Sequence, residues 1–252
     1  MTNNKMPLVS IITPSYNSEE FISQTIHSII NQTYSNWELL ITDDCSNDLS
    51  IEIIKSFVKK DRRIKLYTLE HNSGAGVARN NSIKYAKGKY IAFCDSDDQW
   101  LPNKLEKQIA FMKENNLHFS YSSYKVCDEE DKIVGTVICP KEISFRKMLN
   151  NNYVGCLTAI YDSEKLGKIY MSKIRNRQDW VLWLNILKNF GPTKGLAEPL
   201  AIYRERSSSI SYNKLKQFKF NWNVYRKELG YNSIASTLLI INFLFHYAAK
   251  KI

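Results

Sequence analysis

The chain has 252 residues, with 35 lysines and arginines against 25 aspartates and glutamates (formal charge +10), 44% hydrophobic residues and 24% charged ones. That composition excludes a disordered or fibrous protein, argues against two equal domains, and predicts one large folded domain with room for a small appendage. The positive balance favours phosphate-rich partners in general: nucleotides, nucleic acid or an anionic membrane surface. The lysines are dispersed and no RNA-binding, zinc-finger or basic-zipper pattern is present, so nucleic acid is not expected. Five scattered cysteines, odd in number and without a CxxC pair, argue against a disulfide framework or a zinc knuckle. The opening MTNNKMPLVS enters a strand pattern without a signal peptide's apolar region, so a cytoplasmic location is expected.

In chain order, LVSIIT (8–13) reads as a strand covered on both faces, ended by the turn residues Pro14, Ser15, Tyr16 and Asn17. EEFISQTIHSIINQ places Phe21, Ile22, Ile26, Ile29 and Ile30 at helical spacing. A strand over 38–42, a helix from about Asp48, a strand over 64–69, a helix over about 76–86 and a strand over 90–94 follow. This alternation predicts a doubly wound, mostly parallel α/β sheet with ligands beyond the carboxyl ends of its strands. Beyond it the pattern predicts a helix over 103–116 and strands over 118–126, 133–138 and near 157–161. A buried helix over 179–187, a short strand over 200–203 and a helical tail complete the chain.

Two acidic clusters fall at strand ends: Asp43 with Asp44, and FCDSDDQW (93–100), which crowds Asp95, Asp97 and Asp98 into four residues. Burying such a triplet raises its pKa values unless a cation compensates. Hard oxygen ligands suit Mg²⁺ or Mn²⁺ with phosphate and water completing the shell, which points to a nucleoside diphosphate. The competing reading is that Asp97 or Asp98 caps the helix after Pro102. Tyr16, Asn17, Asp44 and Arg79 fall near the same rim and supply an aromatic face, an acceptor and a cation for a nucleotide. Singly, Tyr16 is equally a half-buried core residue, Asp43 or Asp44 a turn or helix cap, and Arg79 a solvated helix residue.

The runs VSIITPSYN (9–17), ELLITDDCSND (38–48), GAGVARNNSI (74–83), GKYIAFCDSDD (88–98) and RQDWVLWLNI (177–186) together resemble a family 2 glycosyltransferase of GT-A fold, from about residue 6 to 212. The resemblance implies a donor-binding half over about 1–100, an acceptor half over about 101–212 and a separate helical tail over 213–252. It implies that Pro14, Tyr16, Asn17, Asp44, Arg79, Arg204 and Arg206 serve a nucleotide-sugar donor, with UDP favoured. Asp95 or Asp97 then touches the ribose, Asp97 or Asp98 holds Mn²⁺ or Mg²⁺, Asp179 is the catalytic base, and Gly155, Thr158 and Trp180 border the acceptor. Ser82 stands where members often carry glycine, which bears on helix packing. Arg206 stands where histidine is common, so either it takes over phosphate contact or the metal shell loses a ligand.

The implied reaction is a single inverting displacement in which Asp179 deprotonates an acceptor hydroxyl. As a residue, Asp179 is equally a helix N-cap. A nucleotidyltransferase is disfavoured because TPSYNSEE lacks glycine, and a Rossmann dehydrogenase because Gly74-Ala75-Gly76 lacks the full fingerprint. A non-catalytic nucleotide-binding scaffold is opposed by the DSDD and QDW motifs. In the tail, a basic, aromatic segment (214–229) precedes an apolar one (234–249), a pattern for peripheral inner-membrane association, packing on the domain, or a homodimer. A membrane role would suit a polyprenyl-diphosphate-linked saccharide acceptor in bacterial surface polysaccharide assembly.

Overall fold

The computed structural model describes residues 6–206 and 214–249. The expected tail start at 213 and the terminal Lys250 and Lys251 lie outside the described residues. The first half follows the sequence pattern: β1 (Val9–Ser15), α1 (Ile22–Ile30), β2 (Trp37–Asp43), α2 (Ser50–Lys60), β3 (Ile64–Thr68), α3 (Ala75–Tyr85) and β4 (Tyr90–Phe93). The strands lie in the order β3-β2-β1-β4, all parallel. Every residue of β1 and β2 is buried, which is why unbroken apolar runs encode them.

β1 continues two residues beyond its expected end, through Pro14 and Ser15. Its even-numbered backbone groups face β4: Tyr90 N–H donates to Leu8 O (3.2 Å) and Cys94 N–H to Ile12 O (3.1 Å). Pairing with β4 stops at Ile12 and Phe93, so Pro14 costs the sheet no ladder bond while β2 still pairs alongside it.

The second half comprises β5 (Gln99–Trp100), α4 (Lys104–Glu114), β6 (Phe119–Cys127), β7 (Ile133–Val137), β8 (Glu142–Ile143) and α5 (Phe145–Asn150). A 3₁₀ turn (Cys156–Thr158), β9 (Ile160–Asp162), α6 (Ser163–Leu166), α7 (Gln178–Phe190) and β10 (Thr193–Arg204) follow. The sheet continues from β4 as β9-β6-β10-β5, with β7 on β6 and β8 on β10. β9 runs antiparallel to both neighbours, β10 parallel to β6, and β5 antiparallel to β10.

The strand expected near 157–161 starts only at Ile160, because a 3₁₀ turn occupies 156–158. The short strand expected over 200–203 is twelve residues long. Its register shifts on either side of Pro199, which breaks the sequence pattern without ending the pairing. β5, β8 and α5 are too short to show a period.

Hydrophobic clusters cover both faces of the sheet. α7 is buried nearly all round, and its Trp183 stacks on Phe119 (5.1 Å, 16°) and meets Phe93 edge-on (5.6 Å). Each such pair is worth about 1 kcal/mol beyond area burial. The tail is helical as expected: α8 (Lys214–Asn223), a π-helical turn (Val224–Glu228) and α9 (Ser233–Ala249). It joins the domain core, with Val224, Tyr225 and Phe243 in the same cluster as Trp180, and Tyr225 Oη donating to Leu149 O (2.6 Å). No helix among the described residues is long and apolar enough to cross a membrane.

Candidate active site

A cleft of about 1050 Å³ opens at the carboxyl ends of β1 and β4 and is closed on its far side by the start of α7 and by the tail. Tyr16, Asn17, Arg79, Asp95, Asp97, Asp98, Gly155, Asp179, Arg204 and Arg206 all line it. Ten residues spread across the sequence thus meet at the rim that the βα alternation predicts.

The β1 end is shaped by Asn17, which takes a left-handed conformation (φ 45°) that asparagine tolerates. Its N–H donates to Ser46 Oγ (2.9 Å) and its Oδ1 accepts from Asn47 N (3.0 Å), tying the turn to the loop after β2. Tyr16, 48% exposed, is an open aromatic face and no part of the core.

Arg79 is buried on α3 and its Nη2 donates to Asp95 Oδ1 at 2.6 Å. Burial is the largest influence and works against the cation, but the charge and hydrogen bond of Asp95, with Cys156 and Asp179, together hold the pKa above the ordinary arginine value. The solvated-helix reading of Arg79 is therefore corrected. Arg79 thus feels both the DSDD cluster and Asp179.

The DSDD loop is held by Thr25 Oγ1, which donates to Ser96 O (3.0 Å) and Asp98 O (2.8 Å). Asp98 is 2% exposed and accepts the Arg204 backbone N–H (3.0 Å), so β10 pins the loop. Burial, then the neighbouring Asp97 and Asp95 carboxylates, push the Asp98 carboxyl well above the usual carboxylate range. Burial and Asp95 also push Asp97 up, against the pull of Arg206, whose Nη1 lies 3.3 Å from Asp97 Oδ2. Neither aspartate caps α4, whose N-cap is Asn103 without a side-chain bond; that alternative is corrected because β5 and β10 claim the loop first. Two crowded carboxylates, both with raised pKa values and offering oxygen ligands, fit a hard divalent cation, whose charge would relieve their repulsion. Among the described residues no group of three or more histidines, cysteines, aspartates or glutamates converges as a metal-binding cluster.

Asp179 lies in the first turn of α7. It is not the N-cap; Arg177 holds that place with a left-handed backbone (φ 61°). Asn152 Nδ2 donates to Asp179 Oδ2 at 2.8 Å and fixes the carboxylate. Sequence reasoning misses Asn152, whose only signal is the polar run Asn150-Asn151-Asn152 before YVGC. It also misses Phe220 and Phe243 of the tail, which line the cleft on a wall that exists only once α8 and α9 dock.

Four expected site residues stand apart from the cleft lining. Pro14 is a buried strand residue. Asp44 is 3% exposed, and its oxygens accept from Ser73 N and Gly74 N, both at 2.7 Å. Gly74 (φ 90°) supplies the conformation that turns this chain into α3. Thr158 is buried, its Oγ1 donating to Gly155 O (2.7 Å). Trp180 is a core residue whose Nε1 donates to Met148 O (2.8 Å).

Arg204 lines the cleft, but its guanidinium is spent within the protein. It donates to Asp97 O, Asp128 O, Glu129 O, Gln24 Oε1 and Asp131 Oδ1 and lies over the Phe21 ring at 4.6 Å. With five N–H groups engaged, it braces the DSDD loop and leaves none for a phosphate. Arg206, over the same ring at 5.0 Å and paired only with Asp97 among the described contacts, keeps donors to offer. Ser82 puts its hydroxyl to use, bonding Thr42 Oγ1 at 2.7 Å between α3 and β2.

Residues 10–185 match the sequence model described as glycosyl transferase family 2. The chain is 41% identical over 253 residues to a Bacillus subtilis protein named as a putative teichuronic acid biosynthesis glycosyltransferase, TuaG, covering all of both chains. It is 42% identical over 238 residues to the Escherichia coli UDP-Glc:alpha-D-GlcNAc-diphosphoundecaprenol beta-1,3-glucosyltransferase WfgD, covering 94% of this chain and 92% of WfgD. Among solved structures it resembles S. aureus TarS 1–349 in complex with UDP-GlcNAc (TM-score 0.68, 20% identity, 95% of this chain and 72% of that one). It also resembles the mannosyltransferase PcManGT from Pyrobaculum calidifontis in complex with GDP-Man and Mn²⁺ (TM-score 0.65, 14% identity, 98% and 75%). Those two likenesses bear on the fold, which is GT-A. With a mostly parallel sheet carrying acidic residues at its rim, a family match over most of its length and relatives above 40% identity, the chain belongs to glycosyl transferase family 2 and is a sugar-transferring enzyme.

Proposed function

We propose that the enzyme transfers a sugar, with inversion, from a nucleoside-diphosphate sugar, UDP-linked by preference, to a saccharide acceptor carried on a polyprenyl diphosphate. The observation that carries this reading is the convergence of Asp179 and the Arg79–Asp95–Asp97–Asp98 group on one cleft. The nucleotide side offers the exposed Tyr16 ring for a base and Asp95 for a ribose hydroxyl. Arg79 and Arg206 offer fixed positive charge to a diphosphate. Arg79 Nε is buried without a hydrogen-bond partner among the described residues, an orphaned donor of the kind that accompanies a ligand site.

Asp97 and Asp98 would hold Mn²⁺ or Mg²⁺, which when bound supplies charge neutralisation on the leaving diphosphate. The remaining work belongs to this chain. Asp179, held at Oδ2 by Asn152, keeps Oδ1 for the acceptor hydroxyl proton, so the acceptor oxygen attacks the anomeric carbon from the side opposite the diphosphate. Gly155, on the cleft lining, lets the Tyr124 ring and Leu157 pack closely: a β-carbon there would stand 3.0 Å from the ring and 3.1 Å from Leu157, pressing on both.

The acceptor class is supported by the relative named for alpha-D-GlcNAc-diphosphoundecaprenol, and a role in surface polysaccharide synthesis by the one named for teichuronic acid. Such a substrate places the enzyme at the cytoplasmic face of the membrane. The test is a screen of nucleotide sugars with a polyprenyl-diphosphate-linked acceptor, reading nucleoside diphosphate release with Mn²⁺ and after chelation. Release confined to UDP-sugars and abolished by chelation is expected; acceptor-independent or chelation-insensitive turnover contradicts the reading.

A further inference from the structure

The α9 helix has two faces of opposite character. Phe243 is 6% exposed, lies 6.0 Å from the Trp180 ring and lines the cleft. Ile234, Leu238, Ile241 and Phe245 are 75, 62, 57 and 73% exposed. Their spacing of four, three and four residues gathers them into one apolar stripe. An exposed stripe of large side chains marks a contact surface.

Charge identifies what covers it. α5, α8 and the π-helical turn pack against α9, and α7 reaches it through Trp180. The first three carry seven lysines and arginines, among them the exposed Arg146, Lys219, Arg226 and Lys227, against one acidic residue, Glu228. α9 itself holds no acidic or basic residue apart from His246.

We infer that the α9 stripe docks on an anionic lipid surface, with the basic residues of the neighbouring helices on the headgroups. Apolar side chains inserted at the acyl boundary and cations at the headgroups are the two contributions that hold an interfacial helix. A second copy fits less well: it would face one basic surface with another, and the stripe lacks the charged flanks that set a coiled-coil register. Because the opposite face of the same helix lines the cleft, docking holds the cleft beside the membrane. The value of that placement rests on the proposed lipid-linked acceptor; the docking itself needs no acceptor.

Flotation of the full chain with vesicles of phosphatidylcholine alone, or of an equimolar mixture with phosphatidylglycerol, tests this. Recovery with the anionic vesicles should exceed that with neutral ones by about tenfold or more. Leu238→Glu with Phe245→Glu should abolish it, and Lys219→Glu with Lys227→Glu should reduce it to the neutral-vesicle level. Both pairs are on the surface, so an unchanged melting temperature confirms folding in each. If the stripe variant floats like the wild type, the inference is overturned. It is also overturned if the wild type sediments as a dimer that the stripe variant dissociates, which would assign the face to a second copy. Normal flotation without transfer to the lipid-linked acceptor would remove the acceptor reading and leave the docking intact.

Discussion

β1 to β4 bring Tyr16, Asn17, Asp95, Asp97 and Asp98 to the cleft from strand ends, whereas the second half brings Asp179, Asn152 and Phe243 from a helix start, a loop and the tail. In the first half each group sits a few residues beyond a buried parallel strand, so backbone pairing sets its place. In the second half each depends on side-chain packing: Asp179 is next to Trp180, which is wedged between Met148, Tyr225 and Phe243. One cleft thus combines a rigid parallel rim with a lining assembled from distant segments. Under the proposed mechanism, ground-state contacts fall to the first and the chemical step to the second.

The contrast is sharpest at Asp179. Asp179→Asn should lower transfer by about 10³-fold, the scale of a lost general base. Donor affinity, read by calorimetry, should stay close to wild type, and near-normal turnover would remove Asp179 from its role. The parallel half breaks instead through its backbone. A β-carbon at Gly88 would lie 2.5 Å from Ser10 N and 2.8 Å from Leu8 O, neither of which can move without shifting β1. Gly88→Ala should therefore cost about 3 kcal/mol in urea unfolding. A loss under a few tenths would show that this junction yields.

Asn152→Ala should reduce turnover about tenfold, the value of one charge-assisted hydrogen bond, without changing donor affinity. A fall in donor affinity instead would move Asn152 to the nucleotide side. The smallest effect is expected at Lys104, buried on α4 with Nζ 2.6 Å from Gln108 Oε1 and 4.7 Å from the Trp100 ring centroid. Burial pushes its pKa from 10.5 down to about 7. Between those values the unfolded chain binds more protons than the folded one, so stability rises with pH across that window and the penalty is complete below it. Lys104→Met should flatten this dependence and stabilise the protein at neutral pH by roughly 1 kcal/mol. Unfolding curves with an unchanged pH slope would contradict it.

Much of the first half is legible without coordinates. LVSIIT and ELLIT declare buried strands through unbroken apolar runs, and the helical spacing of Ile22, Ile26 and Ile29 is matched by their burial. The DSDD crowding and Asp179 are equally visible, because a carboxylate triplet after a strand and an aspartate before an apolar helix are local patterns. β10 is legible only in part, since Gly195 and Pro199 interrupt a strand whose pairing with β6 continues past them.

The sequence by itself determined the order of the longer strands and helices and which acidic residues would stand at strand ends, because both depend on neighbours a few positions away. Only the tertiary structure decided how each polar group is used. Arg204 is spent on Asp97, Asp128 and Asp131 and braces the loop, while Arg206 pairs with Asp97 alone among the described residues. Asp44 holds the start of α3, and Asn152 joins Asp179. The physical reason is that a buried hydrogen-bonding group takes whichever partner folding brings within reach, and Arg204 meets Asp97 and Asp98 from about a hundred residues away along the chain.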